Sequence, residues 1–457
     1  MAEELAVWLY GDRVATIDRK RGRPRLAYTE EALERYDLGT PLLSLSLPVT
    51  SERYPQGVVR RFLDGLLPEG EFRRSIARKL ELRPDDTFGL IEALGRDCAG
   101  AVIVQPAGDP PPPRPTTATA ERLDAEEIAA LVRNLRSAPL GTGGRVRVSL
   151  AGVQEKLLLT RMADGSWGRP VDGTPSTHIL KPEIAAYPHT VANEAFCMRV
   201  AKHLGLDVAA VETTEIGGRR LIVVERFDRA VDADGSVTRI HQEDFCQAMG
   251  LAPDMKYEED GGPSLGGVAG VLQSVAAPES LERLLQAVTL NALLGNGDAH
   301  GKNFSLLHHA SGAIALTPLY DLMNTLYYGD DRLAMYIDSV QRTDRVTGRR
   351  IANEAVGWGL SGERATTLVD DLLDKTPAAI AAGGAADRRR EPPPELHRPR
   401  RVPDLGRGRA ASACLPISSA RAGALDQRLR AQVRRLLAAF GRARLDAARL
   451  HDAAQRR

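Results

Sequence analysis

NALLGNGDAHGKNFS, residues 291–305, carries an apolar helix end into a glycine-rich loop that presents Asp298, His300 and, five residues beyond the aspartate, Asn303. FSLLH (304–308) and AIALT (313–317) then flank Ala310, Ser311 and Gly312, the pattern of a hairpin. A hairpin returns the chain to its starting point, so the spacing predicts Asp321, in PLYDLMN (318–324), beside Asn303.

The Asp298-to-Asn303 separation equals that of the protein-kinase catalytic loop, in which the aspartate takes the substrate hydroxyl proton and the asparagine binds magnesium. On residue type alone both fit equally as turn caps, and Asp321 as an N-cap for a following helix. Oxygens of Asn303 and Asp321 brought together suit Mg2+, which takes few protein ligands and completes its shell with phosphate and water. His300 reads as a phosphate contact, a group orienting the base, or a structural hydrogen-bonder. Lys302 reads as reaching the transferred phosphate or as a solvated lysine.

Phosphoryl transfer also needs positive charge on the nucleotide and a pocket for the base. Lys181 closes the apolar run in STHILKP, as a strand lysine directed at phosphates would. Glu194, in the helix that follows, is its candidate ion-pair partner or else a surface carboxylate. LIVV (221–224) runs into Glu225, Arg226 and Phe227, a candidate hinge against an adenine edge or simply an edge strand and turn. VSLAGVQEK (148–156) puts small residues where backbone amides could cover phosphates, without the Walker pattern.

Around this region the chain divides by pattern. Residues 4–10 and LLSLSLPV (42–49) read as strands and 57–95 as helical, giving an α+β unit over 1–105. PAGDPPPPRP opens a linker or exposed loop, 106–121, because proline fixes φ and lacks an amide donor. Over 122–240, helices at 124–136 and 191–204 lie among the strand candidates RVRVSL, KLLLT, THILK and LIVVERF, the pattern of a small antiparallel lobe. Residues 241–381 read as mainly helical with one hairpin. Residues 382–415 turn to Arg, Pro, Gly and Ala, too little apolar surface to offset ordering entropy, which predicts disorder. Helical spacing returns in 416–457 at Leu425, Leu429, Val433, Leu436, Leu437 and Phe440.

The 61 Lys and Arg nearly cancel the 60 Asp and Glu, so global charge points to no polyanionic partner. Cys98, Cys197, Cys246 and Cys414 show neither zinc spacing nor disulfide density. No signal-like N-terminus and no run approaching ~20 apolar residues is present, so the expectation is a soluble, cytoplasmic protein without a membrane partner.

Taken in order, SLAGVQEK, STHILKP, VVERFDR, HQEDFCQAMG, DGGPS, GDAHGKNFS and LTPLYD resemble the HipA family of toxin kinases, as do PLLSLSLPV, FLDGLLPEG and GRDCAGAV nearer the N-terminus. The resemblance spans roughly residues 4–380. It implies an α+β, two-lobed kinase-like fold, distantly related to phosphoinositide kinases, with an N-terminal mixed α/β lobe and a mainly helical C-terminal lobe. It also implies ATP and Mg2+ as cofactors, Asp298 as base with His300 and Lys302 beside it, and Asn303 and Asp321 on the metal. Nucleotide contacts would come from Val153, Gln154, Glu155, Lys156, Lys181, His300 and the Glu225–Arg226–Phe227 hinge. Ser149 matches the serine whose autophosphorylation silences the kinase, since a phosphate there repels those of ATP. The implied partners are a HipB-like helix-turn-helix antitoxin, DNA chiefly through that antitoxin, and an aminoacyl-tRNA synthetase substrate, the glutamyl enzyme foremost. After about residue 382 the sequence departs from the family's helical continuation.

Two rival readings remain open at this level. A non-catalytic corepressor would bind an antitoxin, its basic tail (Arg388, Arg389, Arg390, Arg400 and Arg401) adding phosphate contacts. A kinase of a lipid or small molecule is the other. Asp298, Asn303, Asp321 and Lys181 together favour catalysis over the corepressor, since a scaffold has no need of all four.

Overall fold

The structure, a computed structural model, describes residues 2–20, 22–135, 154–171 and 173–387, with side chains through residue 384. RVRVSL, Ser149, Val153 and the helix expected in 416–457 lie outside the described residues. Two compact units emerge among the described residues, one from those within 1–185, 212–256 and 305–317, the other from those within 186–211, 257–304 and 318–387.

In the first unit, strands Glu4–Leu9, Asp12–Lys20, Arg23–Tyr28 and Ile103–Pro106 form a four-stranded antiparallel sheet in which the first strand lies between the second and the fourth. Tyr10 and Gly11 both take positive φ, 53° and 93°, the geometry that closes a two-residue hairpin. Helices Gln56–Leu66, Gly70–Lys79 and Thr87–Leu94 occupy the segment expected to be helical. Val59, Phe62, Leu63 and Leu66 recur at helical spacing and share one core with Leu5, Val7, Ile17 and Leu26 of the sheet.

LLSLSLPV is not a strand, contrary to its alternating pattern. Leu43, Leu47 and Val49 enter the core, but the intervening polar groups also turn inward. Ser44 Oγ donates to Glu243 Oε2 (2.5 Å), the Leu45 amide to Glu243 Oε1 (2.9 Å) and Ser46 Oγ to the Gln247 carbonyl (2.8 Å). These bonds fold the segment into turns instead of leaving its amides for a ladder.

No helix or strand forms between Pro106 and Thr117. Helix Ala125–Arg133 then starts from a capping box between Asp124 and Glu127. A six-stranded sheet follows, in the spatial order Glu121–Leu123, Trp167–Arg169, Leu157–Arg161, His178–Pro182, Arg219–Glu225, Val211–Ile216. Leu159, Leu180, Leu221 and Val223 pack with Ile128 and Val132 of the helix into a second core. Strands His241–Asp244, Ser305–His308 and Ile314–Leu316 make a third, smaller sheet, the last two being the expected hairpin.

The second unit is helical: Thr190–His203, Leu265–Val275, Glu279–Leu294, Gly348–Gly357 and Gly362–Asp387. The last of these packs on the first, the third and the fourth. It runs through Pro377 and on to Asp387, so residues 382–387 continue a helix where disorder was expected. Residues 241–380 also hold a second hairpin, Arg332–Ile337 with Val340–Arg342, beyond the single one foreseen. Among the described residues no helix is long and apolar enough to cross a membrane, and the three described cysteines are buried and outside any disulfide.

Candidate active site

Helix Glu279–Leu294 stops at Gly295, whose φ of 68° lies in the left-handed region. The Asn296 amide folds back onto the Asn291 carbonyl (2.9 Å), and its side-chain amide reaches Asn291 Oδ1 (2.8 Å). A Cβ at Gly297 would run into the Arg332 carbonyl, so glycine alone allows that approach. The Gly297 amide donates to Thr325 Oγ1 (2.8 Å), and its carbonyl accepts from the Ala334 amide (2.7 Å). The loop thus leaves its helix in a fixed direction, with both edges held.

Asp298 comes next. Its amide donates to Asn296 Oδ1 (3.3 Å), and Oδ1 accepts the Tyr257 hydroxyl (2.9 Å). The His300 amide bridges the Asp298 carbonyl (2.8 Å) and Asn303 Oδ1 (3.3 Å). Asn303 Nδ2 donates to Asp321 Oδ2 at 3.0 Å, so Asp321 lies where the hairpin argument put it. The Thr317 amide closes that excursion on the Ser305 carbonyl (3.0 Å). No helix begins at Asp321, whose φ is 56°, so it does not serve as an N-cap; the next helical turn, Leu326–Tyr328, starts from Thr325.

His300 and Lys302 are both buried, which removes the solvated-lysine reading. His300 Nδ1 accepts from the Lys302 amide (3.3 Å), and the Lys302 carbonyl accepts the Tyr320 hydroxyl (2.8 Å). Asn303 and Asp321 place a carboxamide beside a carboxylate, in contact through Asn303 Nδ2 and Asp321 Oδ2, while Asn303 Oδ1 faces the His300 amide. An amide oxygen and a carboxylate are donors that fit a hard divalent cation sharing its shell with phosphates. No group of three or more His, Cys, Asp or Glu that could hold a metal occurs among the described residues.

The candidate nucleotide residues of the other unit occupy its six-stranded sheet. Lys181 sits in strand His178–Pro182 opposite Ile222. Glu155 and Lys156 immediately precede strand Leu157–Arg161, and Gln154 Nε2 reaches toward the Pro182 carbonyl (3.5 Å). Glu225 ends its strand exposed, and Phe227 is half-buried. Glu194 is 1% exposed, so it is no surface carboxylate.

The Arg226 side chain, as distinct from the backbone groups expected at the hinge, sits in a buried network. Its guanidinium donates to Asp228 Oδ1 (2.9 Å) and Oδ2 (2.7 Å), Ser176 Oγ (2.8 Å) and the Cys98 carbonyl (2.8 Å), while its amide is held by the Thr177 carbonyl (2.9 Å). Asp97 joins this buried network by accepting from Arg229 (2.9 Å), Arg239 (2.8 Å) and Ser176 Oγ (2.6 Å). Burial alone would raise the Asp97 carboxyl; Arg239, Arg229 and Arg226 more than offset it and hold the pKa below the usual range. Arg226 is therefore scaffold, leaving the neighbouring backbone as the candidate hinge. Sequence reasoning also missed Tyr257, 41 residues before its partner Asp298. The one available signal was its place just ahead of the DGGPS motif.

Comparison with known proteins bears on the family and the fold. Residues 5–105 match the HipA N-terminal domain and residues 148–380 the HipA-like C-terminal domain. Y4mE of Sinorhizobium fredii, whose name calls it a kinase without naming a substrate, is 42% identical over 383 residues, covering 80% of this chain and 89% of that protein. The serine/threonine-protein kinase toxin HipA of Shewanella oneidensis is 34% identical over 340 residues, 71% of this chain and 76% of that one. The solved complex of HipA, HipB and operator DNA from the Shewanella oneidensis MR-1 toxin–antitoxin system aligns with a TM-score of 0.72 at 26% identity, covering 96% of this chain and 99% of that one. The fold is the α+β kinase fold of HipA, and the chain belongs to the HipA family of protein kinases.

Proposed function

We propose that the chain is an ATP-dependent serine/threonine kinase acting as the toxin half of a toxin–antitoxin pair. The observation that carries this reading is the contact of Asn303 with Asp321, in the same short loop that presents Asp298. Asp298 accepts the proton of a substrate hydroxyl as that oxygen bonds to the γ-phosphorus of ATP. The bond from that phosphorus to the bridging oxygen breaks, and ADP leaves. Asn303 and Asp321 would hold Mg2+, which would supply charge neutralisation on the phosphates. Lys302 and His300 serve the transferred group, Lys181 and the Gln154–Lys156 segment the nucleotide phosphates, and the backbone around Glu225 and Phe227 the adenine edge.

A helix-turn-helix antitoxin is the proposed partner, by analogy with the HipB complex of the Shewanella oneidensis relative, and DNA contact would be chiefly through it. An aminoacyl-tRNA synthetase of the glutamyl type is the proposed substrate, Ser149 the self-modification site and the cytoplasm the place of action. The test is transfer of label from γ-labelled ATP to purified glutamyl-tRNA synthetase in magnesium buffer. Asp298→Asn is expected to lower the rate by about a hundredfold or more with nucleotide binding retained. Parental transfer by that variant would refute the base assignment; label on other proteins of an extract but not on the synthetase would refute the substrate alone.

A further inference from the structure

The segment YEEDGGP, residues 257–263, has no role in the chemistry above, yet it lies against the catalytic loop. Tyr257 donates its hydroxyl to Asp298 Oδ1 (2.9 Å), while its ring stands edge-on to His300 with centroids 5.4 Å apart and planes at 81°. Six residues on, Pro263 packs so closely on Gly301 that a Cβ there would overlap the proline ring. The segment is itself anchored. The Tyr257 carbonyl accepts from the amides of Asp260 (3.1 Å) and Gly262 (2.9 Å), winding it into a short 3-10 turn. Glu258 accepts the Tyr336 amide (2.6 Å) and Glu259 the Arg332 side chain (2.5 Å).

Asp298 follows a glycine in a loop, and a carboxylate so placed has rotamers that aim away from an incoming hydroxyl. A phenol hydrogen bond fixes one oxygen and thereby directs the other. Packing on His300 fixes the phenol in turn, so ring and hydroxyl act as a pair. We infer that Tyr257 is a positioning residue for Asp298, and that residues 257–263 form a brace holding the catalytic loop in its reactive arrangement. The inference rests on Asp298 being the base, and deepens that reading by naming what aims it.

Tyr257→Phe removes the hydroxyl and leaves the ring on His300. The readout is ADP release from magnesium ATP by the full chain, with water or the chain's own hydroxyls as acceptor. The variant is expected to lose on the order of tenfold to a hundredfold in kcat, the range set by one hydrogen bond to a charged group. KM for ATP and the thermal midpoint should stay at parental values, a split that general loosening of the fold would not give. In an Asp298→Asn background, single-turnover measurements should show no further loss, because there is no base left to aim. Parental kcat in Tyr257→Phe, a raised KM for ATP with kcat intact, or an additive loss in the double variant would each overturn the inference. If Asp298→Asn itself turns over normally, the base assignment fails first; if it is inactive while Tyr257→Phe is parental, the brace alone fails.

Discussion

Asp97 and Asp321 each sit at the centre of a polar cluster, and they differ in everything but residue type. Asp97 is 1% exposed, has an ordinary backbone and accepts hydrogen bonds from two arginines and a serine, with a third arginine at 3.5 Å. Asp321 is half-buried, sits at a φ of 56° and touches an amide. Countercharge packed to saturation marks scaffold, because a buried ion so enclosed has nothing left to offer a ligand. Asp321, half-buried and met by the Asn303 side-chain amide, is the carboxylate proposed for the metal.

Replacing each aspartate by asparagine should separate the two. Asp97→Asn leaves Arg226 and Arg229 on Asp228 and takes from Arg239 the carboxylate it donates to, and breaking such a buried network costs about 3–5 kcal/mol. Denaturant unfolding should register that loss. Catalysis per folded molecule should fall much less, and a fully stable Asp97→Asn variant would dissolve the distinction.

Asp321→Asn should do the reverse. Asparagine tolerates the left-handed region as well as aspartate does, so stability should stay within about 0.5 kcal/mol of the parent. Loss of the carboxylate should lower phosphoryl transfer by about a hundredfold or more, with the magnesium concentration needed for half-maximal rate moved upward. Transfer at the parental rate with unchanged magnesium dependence would return Asp321 to the scaffold.

A smaller effect probes how closely the catalytic cluster is fitted. Gly301→Ala drives a methyl group into Pro263, an overlap of the kind that costs about 1–3 kcal/mol unless the backbone yields. Here the loop is the part able to yield, so kcat should drop roughly tenfold. Adding Pro263→Ala removes the offending ring atoms and should restore most of the rate; no recovery would mean the contact is incidental.

The grouping of the candidate site was legible in the sequence because Asp298, His300, Lys302 and Asn303 are nearly contiguous and one hairpin brings Asp321 back to Asn303. Strand Asp12–Lys20 was not, since its charges at Asp12, Arg13, Asp18, Arg19 and Lys20 hide a short buried face of Val14, Ala15 and Ile17. LLSLSLPV alternates like a strand, but Glu243, about 200 residues away, decides its path. Arg226 shows the same limit from the other side. Its side chain is fixed by partners such as the Cys98 carbonyl, 128 residues earlier, which the strand pattern around it does not reveal.

Acid should reach the scaffold through histidines before it reaches its carboxylates. His241 is fully buried, and burial foremost, then the neighbouring His308, pushes its pKa down to about 3. Its Nε2 donates to the Leu43 carbonyl (2.9 Å), so Nδ1 is the bare nitrogen, facing Gly100 with no hydrogen-bond partner among the described residues. His178 is likewise held down to about 4, by burial and then by Arg161. A folded-state pKa below the unfolded value of ~6.5 means that the unfolded chain binds the proton first, so stability is complete above pH ~6.5 and falls as pH drops. Between pH ~6.5 and ~4.5 each histidine should contribute a slope approaching about 1.4 kcal/mol per pH unit, before Asp97 and Asp228 begin to protonate. His241→Gln should remove roughly half of the combined slope, as read from urea midpoints at several pH values. An unchanged slope would mean that His241 opens to solvent well before the unit unfolds.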